Sequence, residues 1–212
     1  MTINFTNLHS INKDLNDYNS SLLIVSKKQN TDTIEILLNK NYRNFGENRV
    51  QEAFEKFHSN LRNRFNNINL HLIGPLQSNK TITAIEIFDT IQSIDRKKII
   101  EKIDFELRNK TNVRVKNFYV QINIGSEPQK SGVLPNDLVD TFEILKKTQL
   151  NVEGLMCIPP NDGNSEKHFK DMVNLRNRID KNLKLSMGMS SDYKISLKNE
   201  SNLIRIGSSI FE

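Results

Sequence analysis

The chain has 212 residues, of which 36% are hydrophobic and 26% are charged, and its formal net charge is +5. This length suits one good-sized domain, and the single cysteine excludes an internal disulfide or a cysteine-based zinc site. Basic residues are scattered, which argues against a nucleic-acid partner, and no apolar run approaches the roughly 20 residues that span a bilayer. The N-terminus lacks the pattern of a signal peptide, so we expect a globular protein of the reducing cytoplasm, with no membrane partner.

Eight short apolar or β-prone runs alternate along the chain with segments of helical periodicity. The first run, LLIVS, has four large aliphatic residues in a row, which is typical of a strand buried on both faces. The runs at 44–46 and 90–95 are the weakest strand predictions. The full set of predicted strands is 22–26, 44–46, 70–74, 90–95, 118–123, 152–158, 183–188 and 203–207.

Apolar residues at steps of three and four predict helices between these strands, and several of the segments begin with a typical N-cap residue. The predicted helices are 32–41, 48–61, 79–88, 96–110, 136–148, 166–183 and 191–199. A further helix is predicted before the first strand, where Phe5, Leu8, Ile11 and Leu15 follow the same spacing.

Alternation of strands and helices predicts parallel pairing with right-handed crossovers. Eight such units favour a closed (β/α)8 barrel of the TIM type, formed by residues 1–212 as a single domain. The extra N-terminal helix would cover the barrel or replace the helix that is missing after strand eight. An open doubly wound sheet is the structural alternative.

The loops that follow strands seven and eight, SMGMSSD and RIGSS, contain features of a phosphate site, and barrels often bind phosphate at this place. Gly188 and Gly207 let main-chain N–H groups approach an anion closely. The hydroxyls of Ser190 and Ser208 can donate to phosphate oxygens, and Arg205 supplies a permanent cation. Each residue alone has an ordinary structural explanation, but together they favour a phosphate site.

Lys27 and Lys28 follow the first strand, at the mouth of the predicted barrel. Desolvation against an apolar strand leaves more free amine, the form that attacks carbonyls. A reactive amine beside a phosphate site suggests pyridoxal 5'-phosphate (PLP), or the sugar phosphate of an aldolase. Side-chain alternation sends the two lysines to opposite sides, so at most one enters the mouth, and the pattern does not say which. Alternatively, the pair marks where the strand meets solvent.

A series of motifs occurs in order over residues 20–211: LLIVSKK, RNFGENRVQEAFEK, LHLIGPLQSNK, SIDR, VQINIGSEPQKSGV, GLMCIP, LSMGMSSD and LIRIGSSIF. This series resembles the pyridoxal phosphate homeostasis protein family, the YggS/PROSC-type PLP-binding proteins. The family is similar to a stand-alone N-terminal barrel of alanine racemases. Four motifs, FGEN, HLIGPLQSNK, KSG and SMGMS, make the resemblance highly specific.

The resemblance implies that Lys27 forms the Schiff base with PLP and that Lys28 is its solvated neighbour. It implies that the last two loops hold the phosphate through Ser190, Gly207 and Ser208, with main-chain help from Met189. The sequence departs from the family at SKKQN, where SKTKP is usual. Ser208 replaces the usual threonine and keeps the hydroxyl, whereas Ser191 stands where an acidic residue is common.

Three further roles follow from the resemblance. Arg205 would lie near the pyridine nitrogen, where a cation keeps that nitrogen unprotonated and weakens PLP as an electron sink. Asn48 of FGEN would lie against the cofactor. Lys80 and Lys130 stand in matched motifs, where PLP transfer, secondary phosphate binding and plain surface charge are all open, and we favour the last.

The function that the resemblance implies is intracellular PLP (vitamin B6) homeostasis, in which a non-enzymatic protein buffers or delivers the cofactor. One barrel uses the whole chain, so the second domain with which racemases supply the opposing acid or base is not expected. The alternatives are a PLP enzyme with weak racemase-type or unidentified amino-acid activity, and a Schiff-base aldolase without PLP. We expect a monomer whose partners are PLP and PLP-dependent apo-enzymes.

Overall fold

The computed structural model describes residues 2–211, and these contain eight parallel strands that close into a barrel. The strands are β1 (Ser21–Val25), β2 (Asn44–Glu47), β3 (Asn69–Leu72), β4 (Thr90–Ile94), β5 (Asn117–Ile122), β6 (Val152–Cys157), β7 (Lys184–Ser186) and β8 (Leu203–Ile206). They follow chain order around the barrel, and β8 pairs with β1 to close it, with Ser21 beside Leu203 and Ile24 beside Ile206. The closed (β/α)8 barrel is confirmed, and the open doubly wound sheet is excluded.

Helices connect the strands on the outside of the barrel. They are α1 (Phe5–Leu15), α2 (Thr31–Asn39), α3 (Val50–Ala53), α4 (Thr81–Ile87), α5 (Lys97–Asn109), α6 (Leu138–Leu145), α7 (Ser165–Ile179) and α8 (Tyr193–Lys198). Short 3-10 turns, Ser78–Lys80 and Pro135–Asp137, precede α4 and α6. All eight predicted strands are present, with bounds that agree within two residues.

The helix predicted over 48–61 is wrong as a continuous α-helix. It consists of α3, a π-helical segment at Phe54–His58, and a 3-10 turn at Leu61–Asn63. A π-helical turn contains one more residue than an α-helical turn. In this turn Lys56 reaches Glu47 at the end of β2 while Phe57 remains fully buried in the core. The π-helical turn thus occurs together with the Lys56–Glu47 contact and the burial of Phe57, and the spacing of apolar residues does not predict it.

Side chains of each strand alternate between the barrel interior and the layer under the helices. A Cβ placed on Gly46 would lie 3.0 Å from Leu23 Cδ2 and 3.2 Å from Ile73 Cδ1, so these three positions share the inner face. Leu22 and Ile24 belong instead to the large apolar cluster formed with the helices. This alternation gives the direction of the residues on β1, which ends at Val25, before the two lysines.

The N-terminal helix α1 occupies the place of a helix after β8, which is one of the two positions expected for it. On one side Asp14 accepts a hydrogen bond from the Tyr193 hydroxyl of α8, at 2.7 Å. On the other side Asn12 Nδ2 donates to the Tyr42 hydroxyl beyond α2, at 2.9 Å. The helix therefore lies between α8 and α2 and completes the outer ring.

The segment around α1 also supports the loop that follows β8. Ile3 forms an antiparallel bridge with Phe211. Asn7 Nδ2 donates to the carbonyl oxygen of Ser209 at 2.6 Å. The closure beside β8 is thus made between residues that lie far apart in the sequence.

Candidate functional site

The turn after β1 contains Lys27, whose side chain is exposed. The inner positions of β1 include Leu23, and alternation puts Val25, the last residue of the strand, on the same face. Ser26 points the other way, since its Oγ donates to Glu47 Oε1 at 2.7 Å. Lys28 follows in a left-handed conformation with φ of 64°, which reverses the chain. The assignment of Lys27 rather than Lys28 to the mouth remains a prediction.

Three hydroxyl groups meet beside this turn, between the loops that follow β7 and β8. The Oγ of Ser190 lies 3.2 Å from the Oγ of Ser208 and 3.1 Å from the Oγ of Ser209. The main-chain N–H groups of these three residues donate to no acceptor within residues 2–211. We call this group the serine cup. Ser209 was missing from the site predicted by sequence, although it is part of the same RIGSS motif.

Two glycines shape the loops of the serine cup. Gly188 has φ of 98°, a conformation that favours glycine, and a Cβ there would collide with Ser196 of α8. A Cβ on Gly207 would lie 3.0 Å from the carbonyl oxygen of Val25, so this loop lies directly against β1. The serine cup and Lys27 therefore belong to neighbouring strands of one mouth.

Met189 donates its main-chain N–H to the carboxylate of Asp192 at 2.6 Å. Its carbonyl oxygen accepts the N–H groups of Asp192 and Tyr193, at 3.0 and 2.8 Å. Met189 thus stabilises the turn that leads into α8 in this structure. Its role as a main-chain donor to phosphate remains a prediction.

Arg205 lies inside the barrel and is almost fully buried. Its Nη1 donates to the carbonyl oxygen and Oγ of Ser186, at 2.6 and 2.8 Å, and its Nη2 donates to the carbonyl oxygen of Cys157 at 2.6 Å. These bonds fix the plane of the guanidinium group. A buried cation held in this way supplies fixed positive charge to the floor of the mouth.

The hydrogen bonds of Arg205 continue across the barrel to residues that sequence reasoning missed. Ser186 Oγ donates to Gln92 Oε1 at 2.6 Å, and Gln92 Nε2 lies 2.8 Å from His71 Nδ1. Burial lowers the pKa of His71 to about 3, so the imidazole is neutral at ordinary pH. Polar residues at inner positions of otherwise apolar strands are the sequence signal that points to this network.

Asn48 and Lys80 line a cleft of about 510 Å³ beside the mouth, between the loops that follow β2 and β3. The full lining is Asn48, Arg49, Val50, Gln51, Pro75, Gln77 and Lys80. Lys130 lies elsewhere, where its Nζ pairs with Glu127 at 2.5 Å. The structure therefore brings Lys80, but not Lys130, next to Asn48.

Glu47, the residue before Asn48, is fully buried, and its carboxylate has a raised pKa. Burial raises the pKa of Glu47 to about 7, against the lowering effects of Lys56 and of the hydrogen bond from Ser26. Lys56 Nζ lies 3.2 Å from Glu47 Oε1 and donates to the carbonyl oxygen of Ser26 at 3.0 Å. A buried ion pair thus lies directly beneath the turn that carries Lys27.

Comparison with known proteins assigns the chain to a family. Residues 5–212 match the family model for the alanine racemase N-terminal domain. The Pyridoxal phosphate homeostasis protein of Haemophilus influenzae is 36% identical over 200 residues, which cover 90% of this chain and 83% of that protein. The chain belongs to the pyridoxal phosphate homeostasis protein family. The resemblance found in the motifs is confirmed.

Solved structures agree with this membership of the pyridoxal phosphate homeostasis protein family. PipY of Synechococcus elongatus without PLP matches with a TM-score of 0.85 at 29% identity, over 97% of this chain and 98% of that chain. The same protein with PLP bound matches with a TM-score of 0.82 at 28% identity and the same coverage. Alanine racemase of Acinetobacter baumannii, at 16% identity and a TM-score of 0.74, matches 94% of this chain and 55% of its own, which shows a shared fold.

Residues 2–211 lack two further features. None of the helices there has the length and apolar character needed to cross a membrane. Within the same range, no three His, Cys, Asp or Glu side chains are grouped in a way that suits a metal ion.

Proposed function

We propose that this chain binds PLP covalently through Lys27 and takes part in intracellular PLP homeostasis, as a buffer or carrier of the cofactor. The observation that carries the proposal is the serine cup, which lies in the same mouth as Lys27. Relatives in the family are named Pyridoxal phosphate homeostasis protein, and PipY has been solved with PLP bound. In this proposal residues 1–212 act as one cofactor-binding domain.

The serine cup has the chemistry that a phosphate group requires. Hydroxyls of Ser190, Ser208 and Ser209 bond only to one another within the described residues, so each can turn its proton toward an anion. Their main-chain N–H groups are without acceptors in residues 2–211 and add three more donors. Hydrogen bonds to an ionised acceptor are stronger than neutral ones, so this set suits a dianionic phosphate.

Arg205 is proposed to lie near the pyridine nitrogen of the cofactor. PLP, when bound, supplies an electron sink whose strength depends on protonation of that nitrogen. The buried guanidinium of Arg205 is a permanent cation and donates only, so it disfavours a proton on a nearby nitrogen. This arrangement favours holding the cofactor over carbanion chemistry, and we propose that the protein is a binder rather than an enzyme.

The remaining parts of the proposal concern the residues around the cofactor and the proteins that receive it. Asn48 lies against the cofactor at the end of β2, and Gly207 lets the loop after β8 lie close to the phosphate. PLP-dependent apo-enzymes in the reducing cytoplasm receive the cofactor from a monomeric carrier. Lys80 and Lys130 have no assigned part in the transfer.

The test is a visible absorption spectrum of the purified protein with PLP, followed by borohydride reduction and peptide mass mapping. A yellow protein with a reduced pyridoxyl group on Lys27 is expected. A protein that takes up no adduct after PLP is added would refute the proposal. Release of PLP to an apo-enzyme without turnover of added amino acids separates a carrier from a weak racemase-type enzyme.

A further inference from the structure

The turn that presents Lys27 is held by charged side chains that do not belong to its own segment. Glu52 Oε1 accepts the main-chain N–H of Lys28 at 2.5 Å. Lys56 Nζ donates to the carbonyl oxygen of Ser26 at 3.0 Å, and Ser26 Oγ donates to Glu47 at 2.7 Å. Residues on both sides of Lys27 are therefore tied to β2 and to the helical segment that follows it.

These three charged residues form a connected cluster. Lys56 Nζ lies 2.6 Å from Glu52 Oε1 and 3.2 Å from Glu47 Oε1. The Glu47 side chain has 0% of its surface exposed, and that of Lys56 has 11%. Buried charges lose hydration that their mutual attraction restores only in good geometry, so such a cluster is weak evidence for a gain in stability. Because the cluster surrounds one turn, we consider its effect on the conformation of that turn.

The backbone conformation of Lys28 is the feature of the turn that these contacts hold in place. Its φ of 64° is uncommon for a residue with a side chain, and its N–H bond to Glu52 fixes that conformation. The left-handed residue turns the chain immediately after Lys27, and both lysine side chains are exposed at this turn. If the turn relaxes, either lysine can reach the mouth.

We propose that Glu47, Glu52 and Lys56 act as positioning residues that select Lys27 over Lys28 as the amine that meets the cofactor. The selection acts through the main chain of the turn, because the three side chains bond to Ser26 and Lys28 and not to Lys27. The inference rests on the proposed PLP site and adds the device that chooses between two neighbouring amines.

The π-helical segment Phe54–His58 fits this role. It contains Lys56, whose Nζ has three acceptors: the carbonyl oxygen of Ser26, Glu47 and Glu52. π-helical turns occur frequently at functional sites. The groups that face Glu47 are Ser26 from the turn, and Lys56 and Glu52 from the helical segment. Because the pKa of Glu47 is about 7, selection between the lysines is also expected to depend on pH near neutrality.

The test measures the ratio of reduced pyridoxyl adduct on Lys27 to that on Lys28, by fragment-ion mass mapping of the full-length protein treated with PLP and borohydride. Wild type is expected to carry its adduct on Lys27. Glu52→Gln and Lys56→Met are each expected to shift the ratio toward Lys28 by about tenfold, because each removes a charged hydrogen bond to the turn. Lys56→Arg, which keeps the charge, is expected to restore most of the ratio.

Glu106→Gln is the matched control. Glu106 is a buried glutamate paired at 2.5 Å with Lys102, four residues earlier on α5, outside the proposed site. Loss of that pair is expected to lower stability without moving the adduct ratio. A pH series from about 6 to 8 on wild type and Glu47→Gln adds a second readout, in which the variant is expected to lose the pH dependence of the ratio.

The experiment distinguishes failure of the proposed PLP site from failure of the proposed selection between the lysines. If wild type carries no adduct on either lysine, the proposed function fails and this inference fails with it. If wild type is labelled on Lys27 and both Glu52→Gln and Lys56→Met keep its ratio within about twofold, the site is right and selection by the cluster is wrong. Glu52 is partly exposed, so Glu52→Gln is the milder change and decides the question if Lys56→Met fails to fold.

Discussion

The two sides of the barrel mouth are built from different chemistry. On the side of β7 and β8, the serine cup consists of neutral hydroxyls whose bonds join Ser190 to Ser208 and Ser209. On the side of β1 and β2, Glu47 and Lys56 are buried and already bond to each other, Glu47 to the hydroxyl of Ser26 and Lys56 to its carbonyl oxygen. One side keeps donors available, whereas the other uses its donors within the protein.

This difference separates binding from positioning. Hydroxyls that bond to one another give up little when they turn to a phosphate, so the serine cup is suited to take up and release an anion. Buried charges that lose a partner leave an uncompensated charge, so the cluster under Lys27 resists rearrangement. A carrier of an aldehyde needs both properties, because the phosphate has to leave while the amine has to remain in place.

The largest expected effect is on the covalent link. Lys27→Ala is expected to abolish the reduced pyridoxyl adduct and leave folding nearly intact, because the side chain is exposed at the mouth. Borohydride trapping and a thermal melt measure the two quantities. Lys28→Ala is the control and is expected to keep the adduct; loss of the adduct in that variant alone would reverse the assignment of the two lysines.

The second effect concerns the serine cup. Ser190→Ala combined with Ser208→Ala is expected to weaken PLP binding by about 100- to 10,000-fold, because hydrogen bonds to a charged group are each worth roughly 1.5–3 kcal/mol and two are removed. Equilibrium titration by absorbance measures this change. Ser191→Ala removes an exposed hydroxyl of the same loop and is expected to have no effect. Equal affinity of the double variant and wild type would place the phosphate elsewhere.

A smaller effect on the cofactor, with a larger one on folding, is expected for Arg205→Gln. The carbonyl oxygens of Ser186 and Cys157 lose buried donors, at a cost of roughly 1–3 kcal/mol for each unsatisfied group. Loss of the cation is expected to let the pyridine nitrogen protonate and to change the visible spectrum of bound PLP.

Arg176→Gln is the control for Arg205→Gln. Arg176 is also buried and pairs with Glu200 at 2.5 Å, on α7 outside the mouth. This variant is expected to lower the melting temperature with an unchanged spectrum. If both variants keep the wild-type spectrum, Arg205 does not lie near the pyridine nitrogen.

The change with the smallest expected effect on the cofactor is Glu47→Gln. It is expected to alter how the free energy of unfolding depends on pH. The folded pKa of Glu47 is about 7 and lies above the ordinary value of 4.5, so between these values the folded state binds more protons than the unfolded state. Glu47 therefore stabilises the folded wild type at low pH. This stabilisation is expected to fall by about 3 kcal/mol as pH rises through this window. Urea melts at pH 5 to 8 are expected to show a flatter dependence in Glu47→Gln, and parallel curves would contradict the raised pKa.

The strands were the most predictable part of the structure. Parallel strands buried on both faces leave continuous apolar runs, so even the short run at 44–46 corresponds to β2. The ends of strands seven and eight also predicted the convergence of Ser190 and Ser208, because loops at the same end of a barrel must meet. These features depend on local pattern and on the topology of the fold.

Other parts of the site depend on contacts that no local pattern records. The π-helical segment Phe54–His58 accompanies the contact of Lys56 with Glu47, and the inner face of β1 is evident from the approach of Leu23 to Gly46. Ser209 has a hydroxyl like Ser208, but its place in the serine cup is evident only from the distance to Ser190. Burial and partner choice are tertiary properties, so they had to be seen in the structure.

The bridge between Ile3 and Phe211, and the bond from Asn7 to the carbonyl oxygen of Ser209, have a consequence for synthesis of the protein on the ribosome. The loop of Ser208 and Ser209 is synthesised about 200 residues after the segment that supports it, so these contacts cannot form before all eight strands have been made. Contacts so distant in sequence are slow to form. A chain that stops before this loop would lack two of the three serines of the serine cup and could not complete it.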